Sequence, residues 1–369
     1  MRVAARYIHR QILLAVLFVT LSFLALFLFF DVINEVNFSS SNAAVRYTVL
    51  NSMVYVALLV PEHVYELLPI AVLIGAIFVM ANMAMTSEFT ILRTSGMGPW
   101  RALRILLVLG ALFTVGTFLV GDYVAPKTNK LAQLYKARFE GRITAGRTGA
   151  WMKENQADHD RIINVHELTP DGEMRQIRVF DFNAQGLLAD TIEAGSGRFS
   201  DKGWTLHDVQ RNQLVGADGN TGHARMQRTH LDSLSLDTSI HQGMVAAALI
   251  DPDRMSTFEL YRYISHLKEN NQSARNYEIQ FWRKVFYPLS CLVMVILALP
   301  FAYLHFRSGN ISTAVFGGVV VGISFFLLNN VFGYIGNMHA WMPWLAAAIP
   351  SLIYTAISLT AFTWLVLKR

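Results

Sequence analysis

The chain has one cysteine in 369 residues, Cys291, and it sits in an apolar run. Without a second thiol, neither an internal disulfide framework nor a cysteine-based zinc site can form. Charge is scarce too: 15% of the residues are Asp, Glu, Lys or Arg, against 53% that are hydrophobic, a composition outside the usual range of a soluble globular protein. The sequence contains no G-x-x-x-x-G-K-[ST], no G-x-S-x-G, no H-E-x-x-H and no Gly-rich dinucleotide fingerprint. Nothing in it therefore points to nucleotide binding or to a familiar nucleophile site. Asp158-His159-Asp160 comes nearest to a metal cluster and reads as a solvated loop, while His207, His223, His230 and His241 are scattered without ligand spacing. No cofactor and no metal are expected.

What is present is a set of long apolar runs around one polar block, Asp122 to Lys284. Net charge +5 does not mark a nucleic-acid binder. The block holds 21 basic and 21 acidic residues, so the remainder, 10 against 5, carries all of the excess. Basic residues collected in short segments between apolar runs are what the bias of Lys and Arg toward cytoplasmic loops produces.

Six spans can be read. Gln11–Phe30, after Arg2, Arg6 and Arg10, has no charge and the ~20 residues needed to cross the hydrocarbon. It is too long for a signal-peptide core and lacks a small-residue cleavage site, so it reads as an uncleaved helix. The acidic segment Asp31 to Glu66 follows outside, where Val54–Val60 before Pro61 suggests a short interfacial helix ahead of the second span, Leu67–Met85, with a span that begins earlier and kinks at Pro61 or Pro69 as the alternative. Ile105–Gly121 is the third span and Val285–Leu304, with Pro288 and Pro300, the fourth. Ile311 to Leu367 is 57 residues without Asp, Glu, Lys or Arg and is broken near Gly333, Gly336, His339 and Pro343 into two more spans joined outside. Gly318-Val-Val-Val-Gly322 is a small-xxx-small pattern for close helix approach. The short inside segments then hold Arg2, Arg6, Arg10, Arg93, Arg101, Arg104, Arg307, Lys368 and Arg369, and the short outside ones only Arg46. With almost no ionisable residue in the spans, a proton or ion relay through this chain is disfavoured.

The inside return between spans two and three, residues 84–98, holds a two-turn amphipathic helix that Thr86 or Ser87 can cap and that Gly96, Gly98 and Pro99 end. Its apolar face holds Phe89 and Leu92, with Ile91 beside them. Such a helix either rests on lipid headgroups or docks into a cytoplasmic partner.

The polar block opens with a helix, Lys127–Gly141, whose Lys127, Lys130, Lys136, Arg138 and Arg142 are either a solvated face or a site for anionic lipid phosphates. From Trp151 to about Ala248 the pattern is of strands: Arg161–Val165, Gln176–Phe182, Leu187–Ile192, Gly197–Phe199, Trp204–Val209 and Gln213–Val215, punctuated by turn residues such as Pro170-Asp171-Gly172 and Asp201-Lys202-Gly203. That spacing predicts an antiparallel β-sandwich or jelly roll over about residues 150–248, with no helix inside it. Ser256 and Glu259 make a capping box for a helix carrying Leu260, Ile264 and Leu267. The expected organisation is three spans in 1–121, a water-facing domain in 122–280, and three spans in 281–369.

Taken together, three spans, a β domain and three more spans, with Ser87-Glu88-Phe-Thr-Ile-Leu-Arg93-Thr-Ser-Gly96, Val124-Ala125-Pro126, Asp251-Pro252, Phe281-Trp282-Arg283-Lys284 and Leu299-Pro300-Phe301, resemble the LptF/LptG permeases of the lipopolysaccharide exporter. Arg6-Tyr7-Ile8 and Phe281 to Leu304 are more similar to the LptG branch than to the LptF branch. The resemblance implies an α-helical membrane protein with six transmembrane helices and an inserted periplasmic all-β jelly-roll domain, in the inner membrane of a Gram-negative cell, with both termini cytoplasmic. It implies an LptF-like permease, an LptB-like ATPase dimer and an LptC-like bitopic protein as partners, and lipopolysaccharide as cargo. It makes residues 84–98 a coupling helix, with Glu88, Phe89, Leu92 and Arg93 contacting the ATPase. Lateral entry between the first and fifth spans makes Phe23, Phe27 and Phe30, and Phe325 and Phe326, candidate cavity residues. Where family members place lysines near the outer end of the first span, this chain has Asp31, Asn34 and Glu35, so phosphates would fall to Arg46, Lys127, Lys130, Lys136 and Arg138. Two other readings stay open. A membrane-bound enzyme would lose function on alanine changes at Asp158, His159 and Asp160, and a non-transporting scaffold would tolerate Glu88→Ala.

Overall fold

The computed structural model describes residues 2–41, 48–140, 143–144, 149–155, 160–169, 171–183, 185–200, 203–215, 225–249, 252–303, 311–339 and 341–364. The chain divides into two units, one formed by Met1–Ser41, Thr48–Asn129 and Glu278–Arg369, the other by Asn42–Tyr47 and Lys130–Tyr277.

The first unit is helical. Five helices are long and apolar enough to cross a membrane: α1 (Arg2–Ser41), α2 (Val49–Met85), α4 (Pro99–Leu119), α10 (Ile311–Met338) and α11 (Pro343–Phe362). A sixth span is a bent pair in which α8 (Arg275–Phe286) and the run from α9 (Ser290–Ala298) to Tyr303 meet at 45°. The bend falls at Tyr287-Pro288-Leu289, where the proline cannot donate to the helix ladder. The six expected spans are thus present.

α1, α9 and α10 pack on α2, while α4 lies chiefly against α9, and α11 against α9 and α10. The residues of α2 from Leu67 to Met83 are buried almost all round, which only a helix apolar on every face tolerates. α1 lays Ile8, Ile12, Val16 and Thr20, one residue per turn, into this core. At Gly75 any Cβ would come within 2.8 Å of the Val16 backbone nitrogen, so the glycine sets the distance between α1 and α2. α10 approaches α2 in the same way, with Gly318 against Ile77 and Gly322 against Ile70. The separate interfacial helix is not formed: Val49–Met85 is one continuous helix through Pro61 and Pro69, so the second span has the earlier start that was the alternative. Packing from neighbouring helices tolerates prolines inside a span, and the Tyr287 hydroxyl donates to the Glu66 carbonyl, 2.6 Å, one turn before Pro69. α4 continues through a π-helical turn, Val120–Val124, into α5 (Ala125–Glu140).

The second unit is an antiparallel sheet with helices. β1 (Ile143–Thr144), β3 (Asp160–Leu168), β4 (Met174–Phe182), β5 (Leu188–Ser200), β6 (Gly203–Val215) and β7 (Arg225–Leu236) pair in that order, and β2 (Ala150–Asn155) also pairs with β3. The inserted all-β domain is therefore a meander. Its core is Met152, Ile163, Val165, Met174, Ile177, Val179, Trp204, Leu206 and Val209, and the Trp204 indole donates to the Ile240 carbonyl at 2.6 Å.

Burial alternates along much of β3 to β6 and at the end of β7, with one interruption in common. Two successive residues fail to be buried at His166-Glu167, Arg175-Gln176, Gly195-Ser196, His207-Asp208 and Asp232-Ser233, after which alternation resumes one residue out of step. The pairings Glu167↔Arg175, Arg175↔Ser196, Ser196↔His207 and His207↔Ser233 align these breaks in a single row across the sheet. Gly149, Gln176 and Asp208, in or beside that row, have positive φ of 72°, 51° and 56°. The row is a bend line, and on either side of it the apolar residues keep to the core.

Two further differences concern this unit. The segment expected to hold strands only ends in a helix, α6 (Gln242–Leu249), and β2 and β7 come from sequence with little apolar alternation. The capping box is present as expected: Ser256 and Glu259 bond reciprocally at the start of α7 (Thr257–Glu269).

Candidate functional site

The return between α2 and α4 is a built structure. α2 ends as Thr86 back-bonds to the Asn82 carbonyl at 3.0 Å. Ser87, in left-handed conformation (φ 62°), then starts α3 (Glu88–Thr94) without a side-chain cap, so the expected Thr86 or Ser87 capping bond is not made. The other end closes as expected, with Gly96 at φ 94°, its amide bonding to Arg93 and the Met97 amide to Leu92, the paired bonds that terminate a helix at a left-handed glycine. Pro99 opens α4.

α3 is held by its own chain on one face. Phe89, 2% exposed, meets the Tyr303 ring edge to face at 5.1 Å. The Arg93 guanidinium lies 4.8 Å over the same ring, and Leu92 packs against the helical core. The Tyr7 hydroxyl of α1 donates to Glu88 Oε2 at 2.9 Å. The outward apolar side chain is Ile91, 61% exposed. Tyr7 and Tyr303 are what the residue pattern alone did not single out for this loop, and Ile91, expected beside the apolar face, points away from it. Tyr7 and Tyr303 do lie within or beside Arg6-Tyr7-Ile8 and Leu299-Pro300-Phe301.

The candidate cavity residues are not alike. On α1, Phe27 and Phe30 are exposed and Phe23 is half-buried. On α10, Phe326 is exposed, whereas Phe325, 1% exposed, is enclosed by the chain itself, its ring 5.1 Å from Tyr354 and 6.4 Å from Tyr287. Nearby, Asp31 Oδ2 is 2.6 Å from His63 Nε2, and Phe27 packs on the His63 ring at 5.5 Å. The acid that stands where the family resemblance leads one to expect a base is thus engaged by a histidine.

The basic residues of α5 are also divided. Lys127 and Arg138 are exposed; Lys130 is bonded to Glu259, and Lys136 is half-buried. Burial would raise the Glu259 carboxyl, but Lys130 and the capping bonds from Ser256 outweigh it and hold it below its ordinary value. Arg46, Asp158 and His159 lie outside the described residues. Asp160 pairs with Lys153 at 2.8 Å. Among the described residues, no group of three or more His, Cys, Asp or Glu is placed to hold a metal ion.

Helices long and apolar enough to cross a membrane, burying only part of their length and interrupted by an inserted sheet, define a multi-pass membrane protein. A sequence profile of the family described as "Lipopolysaccharide export system permease LptF/LptG" matches residues 6–365, and the chain belongs to that family. It is 27% identical to "Lipopolysaccharide export system permease protein LptG" of Escherichia coli (strain K12), over 99% of this chain and 98% of that protein. It is also 27% identical to the protein of the same description from Haemophilus influenzae (strain ATCC 51907 / DSM 11121 / KW20 / Rd), over 88% of this chain and 87% of the other.

Proposed function

We propose that this chain is the LptG-type permease subunit of an ABC transporter, one that draws lipopolysaccharide from the outer leaflet of the inner membrane and passes it to a periplasmic bridge. In this reading it works beside an LptF-like permease and an LptC-like bitopic protein, and an LptB-like ATPase dimer docks on α3 and supplies the ATP hydrolysis. The β unit is then periplasmic and both termini cytoplasmic. The observation that carries the reading is α3: a two-turn helix between two spans, fixed from behind by Phe89 and Tyr303 and presenting Ile91 outward, with the half-buried Glu88 and the exposed Arg93 beside it, each also engaged by its own chain. The full-length similarity to proteins described as LptG supports it.

The chemistry of the cargo explains the separation of fuel from path. Drawing one acyl chain of about a dozen carbons into water costs about 10 kcal/mol at ~0.8 kcal/mol per CH₂, so the route must stay apolar. The exposed Phe27 and Phe30 of α1 and Phe326 of α10 offer such a surface, and Lys127 and Arg138 offer charge to phosphates.

Because Phe89 serves the chain's own core, charging it would damage the fold as well as any docking. Ile91→Asp is the cleaner test. Co-purification with the ATPase is expected to fall at least about tenfold, the ~1.4 kcal/mol or more that one buried anchor supplies, with the yield of membrane-inserted protein unchanged. Undiminished association of the Ile91→Asp protein would refute the docking role of α3.

A further inference from the structure

The β unit carries a groove of about 620 Å³, within the size range of small-molecule sites. It lies along the bend line. Gln176 of β4 and Asp208 of β6, the two residues with left-handed backbone there, line it on either side of Gly195 of β5. Gly195 keeps the middle open, since a Cβ on it would sit 3.1 Å from Asp208 Oδ2. Gln is a residue that rarely adopts positive φ, and it does so here at the wall of a cavity. Trp151, half exposed at 51%, forms one end of the groove and is stacked on Phe180 at 6.1 Å and 16°. Arg178, Glu193 and Gln210 complete the polar rim.

We propose that this groove binds a saccharide, neutral or amino-bearing, with vicinal hydroxyls. A flat indole braced from behind offers a face to the C–H side of a pyranose ring. The amides of Gln176 and Gln210 can both donate and accept, and the carboxylates of Glu193 and Asp208 accept from paired hydroxyls. The charge balance excludes other classes. The groove's one guanidinium, Arg178, already lies 3.9 Å from Glu193, and Asp208 adds a second carboxylate, with the imidazoles of His166 in the lining and of His230, 3.9 Å from Asp208, as the only other basic groups at hand among the described residues. With those imidazoles neutral, a phosphate or carboxylate ligand would meet net repulsion. An acyl chain would strip water from the polar rim without replacing its hydrogen bonds.

The test uses the full chain in lipid nanodiscs, free of sugar-headed detergent, with N,N′-diacetylchitobiose as probe, followed by saturation-transfer NMR and calorimetry. Binding near ~1 mM is expected, weakened at least about tenfold by Trp151→Leu and by Gln176→Gly. Gln176→Gly removes the amide while relieving the left-handed backbone, so its thermal midpoint should hold or rise and misfolding cannot account for lost binding. No saturation transfer at ~20 mM probe, well above such a Kd, would overturn the proposal. So would equal affinity in both variants, or displacement of the disaccharide by inorganic phosphate or laurate. Binding in this assay needs neither ATP nor a partner subunit, so its outcome is independent of the export reading.

Discussion

A carboxylate sealed inside a sheet must be supplied with hydrogen bonds or it will take up a proton. Glu154 of β2 is 3% exposed. It accepts from the Ser239 amide and hydroxyl at 2.6 Å each and from the Thr238 hydroxyl at 2.8 Å, with Arg161 at 4.0 Å. Burial alone would raise its carboxyl, but the bonds from Ser239 and Thr238 and the Arg161 charge outweigh that, and the net direction is downward. A folded value below the unfolded one stabilises the fold at pH above ~4.3, and that contribution disappears as pH falls through the folded value. Glu154→Gln should therefore flatten the acid limb of the β unit's stability below about pH 4.3 and cost roughly 1–3 kcal/mol at neutral pH. Thermal midpoints between neutral pH and pH 3 read this out, and parallel curves for the two proteins would refute it. His266 of α7 responds to the same substitution. Burial holds its imidazole below the ordinary value against the opposing charges of Glu269 and Glu154, so the stability present above ~6.5 begins to go as pH falls past that point, and more so in Glu154→Gln, which removes one of those charges.

At the scale of elements, close helix approach rests on missing side chains. Gly322 meets Ile70 such that a Cβ would lie 2.9 Å from Ile70 Cγ2. Gly322→Leu should push α10 off α2 and lower the thermal midpoint by the equivalent of about 1–3 kcal/mol, whereas a substitution at Gly317, which has open space around it, should have little effect. That contact was legible as Gly318-Val-Val-Val-Gly322 because a four-residue spacing puts both glycines on one helix face. The spans and the glycine end of α3 were legible for the same reason: length, charge and cap chemistry are local. The β unit was read less well. β5 looks in sequence like two strands, Leu187–Ile192 and Gly197–Phe199, because Gly195-Ser196 on the bend line interrupts the period of two, and no local signal tells a bend from a turn. β7 was missed because its residues from Arg225 to His230 are all exposed, leaving no alternation to find. For the candidate site, an apolar stripe on a two-turn helix does not say whether it faces the chain or a partner. Only Tyr303, over two hundred positions away, gives Phe89 to the core and leaves Ile91 outside.

Across the whole helical unit, α1 touches α2 along a single stripe and leaves Leu14, Leu17, Phe18, Leu21 and Phe30 exposed. The buried stripe joins α1 closely to α2 at Ile8, Ile12 and Val16, and polar attachments tie it to other elements. One of them, the Tyr7–Glu88 hydrogen bond, ties the start of α1 to the helix proposed to receive the ATPase. The Asp31–His63 bond ties the later part of the same helix to α2. A push on α3 would therefore reach the helix that carries Phe27 and Phe30 through Glu88 and Tyr7, with no rearrangement of the core between them. Tyr7→Phe keeps the ring and deletes only the donor. A hydrogen bond to a charged group contributes roughly 1.5–3 kcal/mol when shielded and less when exposed, so the expected loss is several-fold in lipopolysaccharide transported per ATP hydrolysed, with ATPase association and basal hydrolysis unchanged. Glu88→Gln, which keeps an acceptor, should recover part of the coupling that Glu88→Ala loses. If Tyr7→Phe transported at the full rate in reconstituted vesicles, the link would be structural and the push would have to travel through Phe89 and Tyr303 instead.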